Sequence, residues 1–491
     1  MQAAQVHSVD ELVEAAVRGE LSEHAGRTLC RQAPELILLA LLAAGKRIAE
    51  LRAGAGSSSP ATSSAATSSS TSPSTPSGMV PIYEKPNQHH RHKKPGARDG
   101  HLGRRRAAPR QITRRQTHRL DRCPDCGGPL QRCQRSRTRV IEDIPETVEP
   151  VVTEHTIHRD YCPRCKKDVE PVVPDAMPGA TLGHHVVALT AWLHYGLGVT
   201  IDQITAIFGY HFQTRLTPGG LIDAWRRLAE VLQAWYEQIG EQARSSARLH
   251  ADETGWRVNG VTHWLWCFAN ARVCYYMIDR CRGSPALQKF FIDEFEGVLV
   301  TDFWGPYESV CAADRQYCLV HLLRELEKVD QRNASPEWKE FARQLRRLLH
   351  DGIRLRKRPD FTPGQYQSRV NRLNARLGQM ARAPRRDPDA RRLTKRLAKY
   401  AEYLFTFLDY EDVPFENNLC ERAIRPAVVL RKNSQSNRSD RGAATQAVLM
   451  SVHRTLKLRG LNPTQTIADA LKSYLATGQL PPLPDAAIAG G

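Results

Sequence analysis

A series of short strand-like segments that begins at residue 248 constrains the fold more than any other feature of the sequence. Residues 248–252, 263–269 and 273–278 have the length and composition of strands. An Asn259-Gly260 pair, typical of a two-residue hairpin turn, lies between the first two. Residues 284–295 then have the pattern of a capped amphipathic helix. The segments therefore predict a meander of strands followed by a helix.

Two more strands and a second helix follow the meander. Residues 298–301 form a buried-type strand that ends in Asp302, residues 316–320 form a further strand, and His321 opens a helix. This order predicts an α/β sheet of the ribonuclease H type. In that sheet Asp252 ends the first strand and Asp302 ends the fourth.

Two carboxylates at the strand ends of one sheet are costly to bury, and they repel each other when they are brought together. Divalent cations resolve the repulsion because they accept oxygen ligands from both groups. Two Mg2+ ions about 4 Å apart stabilise the attacking and the leaving oxygen of a phosphodiester displacement. The aspartates are therefore candidate metal ligands for phosphoryl transfer. The structural alternative is that each is a strand-end cap or a turn residue.

A third acid is expected from a helix near the C-terminus, and residues 416–426 offer two candidates. Asn417, Glu421 and Arg425 are spaced i, i+4 and i+8, so they share one helix face. Glu416 lies about 140° from Glu421 around the helix. We therefore predict Glu421 as the metal ligand, with Glu416 in reserve. A surface helix stabilised by salt bridges is the structural alternative.

Four of the twelve cysteines form two C-P-x-C pairs. Two cysteines at this spacing on a tight knuckle direct both thiolates at one tetrahedral Zn2+ ion, and Gly127-Gly128 supplies the positive φ that the first knuckle needs. Residues 140–144 and 148–157 alternate like the strands of a ribbon. The sequence therefore predicts a structural zinc domain over residues 120–175, with unliganded core cysteines as the alternative. The predicted ligands are Cys123, Cys126, Cys162 and Cys165.

The composition changes twice within the first 119 residues. Residues 1–52 have the apolar periodicity of helices, and residues 53–88 form a Ser/Thr/Pro-rich tract that predicts a disordered linker. Residues 89–119 hold eleven Lys/Arg and one acid. We interpret this basic arm as a contact to a phosphate backbone, with a solvated tail as the alternative. Its candidate DNA contacts are Lys93, Lys94, Arg104, Arg105 and Arg106.

Two further regions have helical patterns. Residues 180–245 contain helix starts at Thr200 and Thr217, and their short helix, turn and longer helix fit helix-turn-helix DNA binding and plain helical packing equally well. Residues 331–400 carry twenty Lys/Arg against six acids, within a helical insertion that extends to residue 408. We interpret this insertion as a basic wall that grips DNA, with a solvated helical surface as the alternative.

The charge of the chain has a defined location. Seventy Lys/Arg against 52 Asp/Glu give a net charge of +18, to which the basic arm contributes +10 and residues 331–400 contribute +14. The rest of the chain is therefore mildly acidic. The longest apolar run, residues 36–44, is far shorter than the roughly 20 residues that span a bilayer. The sequence predicts a polyanionic partner, no membrane segment and a cytoplasmic location.

Several motifs together resemble the IS66 family of insertion-sequence transposases. They include residues 249–254, 301–307, the Cys-x-x-His step at 318–321, and the segment from Asn417 to Gly442. The similarity runs in order over roughly residues 90–480, and its most specific piece is the Asn-Asn-x-x-Glu-Arg element.

The resemblance implies a DDE transposase in which Asp252, Asp302 and Glu421 hold two Mg2+ ions, with a zinc-binding segment ahead of the core. It implies DNA as the partner, both terminal inverted repeats and target DNA. We also expect a homo-oligomer on DNA and small companion proteins. His321 is a candidate for positioning DNA. The candidate DNA contacts near the third acid are Asn417, Arg422, Arg425, Arg431 and Lys432.

The predicted architecture is an α/β ribonuclease H-like catalytic core with an α-helical insertion, plus N-terminal helices, a zinc-binding β segment and a helical DNA-binding region. Residues 246–330 and 409–480 form the two parts of the core, and residues 481–491 form a disordered tail. The predicted function is a DNA transposase that cleaves element ends and transfers the 3′-OH strand into target DNA. The alternatives are a catalytically inactive zinc-containing repressor derived from a transposase, and a stand-alone nuclease.

Overall fold

The computed structural model of the chain describes residues 111–131, 138–145, 148–358 and 360–485. The predicted N-terminal helices, the linker and residues 89–110 of the basic arm lie outside these ranges. So do the candidate DNA contacts Lys93, Lys94, Arg104, Arg105 and Arg106. The remaining part of the arm, residues 111–119, is exposed chain without helix or strand.

The cysteine-rich segment contains one short hairpin. Strand β1 (Asp160–Cys162) pairs antiparallel with β2 (Lys167–Val169) across the second knuckle. The ribbon predicted at 140–144 and 148–157 is wrong, because the described residues of both stretches form no strand. Their apolar side chains are uncovered, with Ile144 82% and Val151 94% exposed. Alternating residues form a stable strand only when a second layer buries one face.

Four helices follow, joined by tight connections. They are α1 (His184–Ala191), which continues into a π-helical turn (Trp192–Gly196), α2 (Ile201–His211), α3 (Pro218–Val231) and α4 (Gln233–Arg244). The predicted caps are confirmed: the hydroxyls of Thr200 and Thr217 accept hydrogen bonds from the amides of Gln203 and Gly220. The apolar residues that recur along α3 and into α4 are buried, at Leu221, Trp225, Leu228, Leu232 and Trp235.

A five-stranded mixed sheet follows the four helices in the chain. Its elements are β3 (Arg248–Val258), β4 (Val261–Ala269), β5 (Cys274–Asp279), α5 (Ser284–Phe290), β6 (Phe295–Thr301), β7 (Ala312–Tyr317) and α6 (Leu319–Asp330). The strand order is β5-β4-β3-β6-β7. The meander β3-β4-β5 is antiparallel, whereas β6 and β7 are parallel to β3. Asn259 and Gly260, with φ of 49° and 75°, form the predicted two-residue turn.

Several predicted boundaries differ from the structure. The strand predicted at 316–320 is β7, which ends at Tyr317, so residues 318–320 are not part of it. Strand β3 runs on to Val258, so Asp252 lies inside the strand and not at its end. The reason is the hairpin: β4 pairs with β3 as far as Val258, while the parallel pairing with β6 stops at His250. Helix α5 ends at Phe290, and α6 begins at Leu319, two residues before His321.

The basic insertion is helical, as predicted. It consists of α7 (Pro336–Arg356), α8 (Pro363–Arg382) and α9 (Pro388–Tyr400), and each helix begins with a proline after a side-chain cap. Its hydrophobic core includes Val298 and Val300 of β6, whereas Leu299 belongs to a separate core with the other helices. Successive side chains of β6 point to opposite faces of the sheet, so one face of this strand packs against the insertion and the other against the remaining helices.

Three helices complete the described chain: α10 (Asn418–Ser434), α11 (Asp440–Leu458) and α12 (Pro463–Thr477). Helix α10 contacts β3 and β4, and α11 packs against β5. The segment 481–485, expected to belong to a disordered tail, packs on α4, because Trp235 donates a hydrogen bond to the Pro481 carbonyl over 2.7 Å. No helix in the described ranges combines the length and apolar character that a membrane crossing requires.

Candidate active site

The register of two parallel strands brings Asp252 and Asp302 together. His250 pairs with Val300, and each aspartate follows its paired residue by two positions. Neighbouring strands lie about 4.8 Å apart, so this register predicts adjacent carboxylates. The Asp302 carboxylate accepts a hydrogen bond from the amide of Trp304 over 2.9 Å, which holds it just beyond the end of β6.

The charged form of Asp252 is costly in its surroundings. It is only 9% exposed, and its carboxylate accepts a hydrogen bond from the amide of Glu253. Burial, and then the negative charges of Glu253, Asp302 and Glu421, raise the pKa of Asp252 well above its usual value. Among the ion pairs of the described residues, none involves Asp252 or Asp302. Oxygen ligands with uncompensated negative charge are the donor set that Mg2+ binds, so these residues fit the predicted ions.

Glu421 lies in the first turn of α10. We refer to Asp252, Asp302 and Glu421 together as the acidic centre. Its two carboxylate oxygens each face a guanidinium nitrogen of Arg324 at 3.4 Å, and the His321 Nε2 lies 3.7 Å from one of them. Glu416, the reserve candidate, precedes the helix and is half-buried. Because Glu421 is among the charges that raise the pKa of Asp252, it remains our choice for the third ligand.

The structure does not gather these groups into a closed metal cage. In the described part of the chain, no three His, Cys, Asp or Glu side chains converge as a metal-binding group. Asp252 and Asp302 are adjacent by strand register, and Glu421 approaches them from α10. The ligand assignment therefore remains a prediction.

His321 lies beside the acids at the start of α6. Burial lowers the pKa of His321, against the opposing charges of Asp302 and Glu421. Its Nδ1 is buried without a hydrogen-bond partner. The imidazole is therefore a neutral polar group at the edge of the acidic centre.

Asn417 has a different role from the predicted DNA contact. It is 1% exposed, its amide oxygen pairs with the His250 Nδ1 over 2.9 Å, and its amide nitrogen donates to the Ala251 carbonyl over 2.8 Å. A side chain buried in this way does not reach DNA, which corrects the prediction. Asn417 instead fixes the start of α10 against β3, next to Asp252, and thereby positions Glu421.

The four basic candidates on α10 fall into two groups. Arg431 donates hydrogen bonds to the Thr254 hydroxyl and the Gly255 carbonyl, so it ties α10 to β3. Burial lowers the pKa of its guanidinium. Arg422, Arg425 and Lys432 are exposed. These three remain accessible to a DNA backbone.

A buried network that was not predicted from the sequence lies next to the acids. Glu253 is 3% exposed, and it accepts hydrogen bonds from Arg282 at 3.0 and 3.1 Å and from the Tyr307 hydroxyl at 2.6 Å. The Arg282 guanidinium lies between the rings of Trp264 and Trp304, at 4.3 and 4.0 Å from their centroids. Trp304 also holds Asp302, so the network braces the loop after β6. The Asp-Glu pair and the aromatic residues after Asp302 were the available signals.

The two cysteine pairs form similar knuckles. In the first, Gly127 has φ +72° and donates to the Cys123 carbonyl over 2.8 Å; in the second, Lys166 has φ +54° and donates to the Cys162 carbonyl over 2.8 Å. The backbone amides of Cys126 and Cys165 are the main causes of lowered pKa values at Cys123 and Cys162, respectively.

A lowered thiol pKa favours the thiolate that zinc binds, so the knuckles fit the ion. The structure brings each pair together but does not bring the two pairs onto one centre, at least among the described residues. A single four-cysteine site therefore remains a prediction.

Known families match the regions just described. Residues 179–445, more than half of the chain, match the family model described as transposase IS66 family, and residues 121–166 match the zinc-finger binding domain of transposase IS66. The first match contains the three acids and the second contains the four cysteines.

Two similar proteins come from Sinorhizobium fredii. Uncharacterized protein y4jD is 25% identical over 413 residues, which cover 72% of this chain and 75% of that protein. Uncharacterized protein y4hP is 23% identical over 393 residues, covering 71% and 70%. Neither name states an activity.

Proposed function

Because the chain belongs to the IS66 transposase family, we propose that it is a DDE polynucleotidyl transferase with a ribonuclease H-like core. It cleaves DNA at the terminal inverted repeats of a mobile element and joins the freed 3′-OH to target DNA. Both steps are in-line displacements at phosphorus, so one set of carboxylates serves both.

The observation that carries the proposal is that Asp252 and Asp302 lie side by side, each two residues beyond the His250–Val300 pair. The register of β3 and β6 aligns the two residues, and neither has a cationic side-chain partner among the described residues. Structural ion-pair networks place arginine or lysine beside buried carboxylates, as Arg282 lies beside Glu253. Within the described ranges, Asp252 and Asp302 lack such a cationic side chain, which leaves their oxygens available to a divalent cation.

Each residue of the site has a proposed task. Asp252, Asp302 and Glu421 hold two Mg2+ ions, which when bound stabilise the attacking and leaving oxygens. Asn417 sets the position of Glu421 by fastening α10 to β3. His321 lies close to Glu421 and orients the DNA strand at the edge of the acidic centre.

The proposed DNA contacts are spread over several regions of the chain. The basic arm at 89–119, the insertion at 331–408 and exposed residues of α10 hold phosphates, and the helices at 180–245 add a further DNA-binding surface. The zinc domain at 120–175 is structural. The active form is a homo-oligomer on DNA, and small companion proteins take part.

The test uses the full-length protein, Mg2+ and labelled DNA that carries the terminal repeats flanking the gene. Asp252→Ala and Asp302→Asn are compared with Glu416→Gln, with DNA binding measured in parallel. We expect the aspartate variants to bind DNA and to lose both cleavage and strand transfer, while Glu416→Gln retains both. Unchanged strand transfer in either aspartate variant would overturn the proposal.

Two wild-type results would favour the other functions. Binding without any Mg2+-dependent cleavage indicates a catalytically inactive DNA-binding protein or repressor. Cleavage whose labelled 3′ ends never become linked to target DNA indicates a nuclease.

A further inference from the structure

An arginine-lined cleft opens between two helices of the insertion, apart from the acidic centre. It has a volume of about 380 Å³ and lies between α7 and α8. A second hollow of about 310 Å³ shares Phe361, Arg369 and Arg372 with it. The arginines that line the cleft are Arg354, Arg358, Arg369, Arg372 and Arg376.

The cleft holds more positive charge than the protein neutralises. Its carboxylate, Asp351, pairs with Arg376 at 2.8 Å and with Arg354 at 3.9 Å. The ion pairs found in the described ranges give no acidic partner to Arg358, Arg369 or Arg372. Several guanidinium groups facing one concave surface repel each other, and a bound polyanion offsets that cost.

The arrangement of the arginines is also directional. Arg369, Arg372 and Arg376 are spaced i, i+3 and i+7 on α8, so they form one stripe. Arg354 lies in the last turn of α7 and faces the same cleft. A solvated basic surface would spread these charges, whereas here two elements of the insertion present them to one cavity.

The floor of the cleft is apolar and one wall is aromatic. Leu355 and Leu373 are buried in it. The guanidinium of Arg369 lies 4.2 Å from the centre of the Phe361 ring. A flat ring and a stacked guanidinium beside free arginines are the features on which proteins stack unpaired bases while holding the adjacent phosphates. In a paired duplex the bases are stacked on one another, so no base face is exposed for the ring to contact.

We propose that this cleft binds an unpaired segment of DNA, with a base stacked at Phe361 and its flanking phosphates held by Arg358, Arg369 and Arg372. The proposal deepens the proposed function and rests on it in taking DNA as the substrate. It gives the insertion a specific task, the capture of a single strand beside a DNA end.

The test measures binding of fluorescein-labelled single-stranded DNA and of a blunt duplex of equal length to the full-length protein, without added Mg2+. The variants are Phe361→Leu and the double variant Arg369→Ala/Arg372→Ala. The matched control, Arg347→Ala/Lys395→Ala, removes the same charge from exposed positions of α7 and α9 outside the cleft. Phe361→Tyr restores the ring, and the melting temperature of each variant verifies folding.

We expect Phe361→Leu to weaken single-strand binding about tenfold, with duplex binding unchanged and Phe361→Tyr close to wild type. The double arginine variant should weaken single-strand binding at least as much and flatten its salt dependence by about 1.4 in log–log slope, more than the control. Single-strand affinity that is insensitive to Phe361→Leu overturns the proposal, as does an arginine effect no larger than that of the control.

The outcome separates this inference from the proposed function. If the wild-type protein binds a single strand through Phe361 but never cleaves DNA, the cleft proposal stands and the catalytic proposal fails. If all cleft variants bind like wild type while Asp302→Asn abolishes cleavage, the cleft proposal alone fails.

Discussion

The acidic centre and the cysteine-rich segment are both predicted metal sites, but the protein supports them in opposite ways. Asp252 lies on the central strand of the sheet, and Asn417 fastens the helix of Glu421 to that strand. The cysteine knuckles extend from chain whose apolar side chains, such as Val151 and Ile144, are exposed.

The difference shows where the position of each ligand is determined. In the acidic centre, packing and hydrogen bonds between distant segments place the carboxylates, and the chain accepts the electrostatic cost of doing so. In the cysteine-rich segment the described residues between the knuckles, 129–159, are exposed and form no strand, so we expect a bound zinc ion to hold this segment together. Removing a ligand should therefore abolish chemistry in one region and structure in the other.

The largest effect is expected from Asp252→Asn. Strand transfer should fall by about 10³-fold or more, because the amide loses a negatively charged metal ligand worth several kcal/mol in the transition state. Without Mg2+ the same variant should be more stable by about 1 kcal/mol, a rise of about 2–4 °C in melting temperature, because it removes a carboxyl group whose charged form is costly to bury. Activity assays measure the expected loss of strand transfer, and thermal melts without Mg2+ measure the expected gain of stability.

Asp314→Asn on β7 is the matched control, and it should change neither quantity. If Asp252→Asn lowers the melting temperature in the absence of Mg2+, the carboxylate is a stabilising structural group, and the contrast between the two regions is lost.

The second effect concerns Cys162→Ser, or zinc removal by a chelator. We expect amides of residues 121–131 and 160–169 to exchange hydrogen rapidly, while β3 and β4 keep their protection, because the knuckles share no core with the sheet. Hydrogen-exchange mass spectrometry measures both regions in one experiment, and the zinc content should fall together with the protection.

Cys311→Ser, which replaces an exposed cysteine outside the knuckles, should leave exchange unchanged. Equal loss of protection in β3 would mean that the zinc segment supports the sheet, contrary to the structural contrast drawn above.

Features that depend on neighbouring residues could be predicted from the sequence, whereas features that depend on packing between distant segments could not. The turn at Asn259-Gly260 and the cap at Thr200 depend on neighbouring residues, and both are confirmed. The strands predicted at 140–144 and 148–157 were wrong, because alternation does not indicate whether another layer covers the segment.

The inward orientation of Asn417 depends on His250, which is 167 positions away in the chain. The network around Glu253 likewise joins residues of β3 and β4 to the segments that follow β5 and β6. Such contacts leave no periodic signal, so a sequence pattern identified Asn417 as part of the site without giving its task.

A smaller effect is expected from Asn417→Ala. The substitution removes the hydrogen bonds that Asn417 makes to the His250 Nδ1 and to the Ala251 carbonyl, which should cost about 2–3 kcal/mol of unfolding free energy. It should also lower strand transfer because Glu421 loses its support. Chemical denaturation checks the stability, and Asn418→Ala at the first position of α10 is the control. Full stability in Asn417→Ala would show that the acidic centre does not depend on this contact.

The smallest effect is expected from His453, a buried polar side chain far from the acids in sequence. It tests whether the packed part of the protein also holds unsatisfied polar groups outside the acidic centre. His453 in α11 is buried, and both of its ring nitrogens lack hydrogen-bond partners. Burial lowers the pKa of His453 to about 3. The unfolded chain therefore takes up a proton as the pH falls below about 6.5, whereas the folded chain does not, so stability is lost from about pH 6.5 downwards.

His453→Leu removes this proton uptake and two unsatisfied polar atoms. The variant should be more stable than wild type, and between pH 6 and pH 5 its unfolding free energy should fall less steeply, by about 1.4 kcal/mol per pH unit. His250, whose pKa is lowered to about 4 by burial, keeps part of the dependence in both proteins. The exposed His350→Leu control should retain the wild-type slope. If the unfolding free energies of wild type and His453→Leu fall in parallel with pH, the ring is protonated in the folded protein. The acidic centre would then be the one region of this comparison with a costly buried charge.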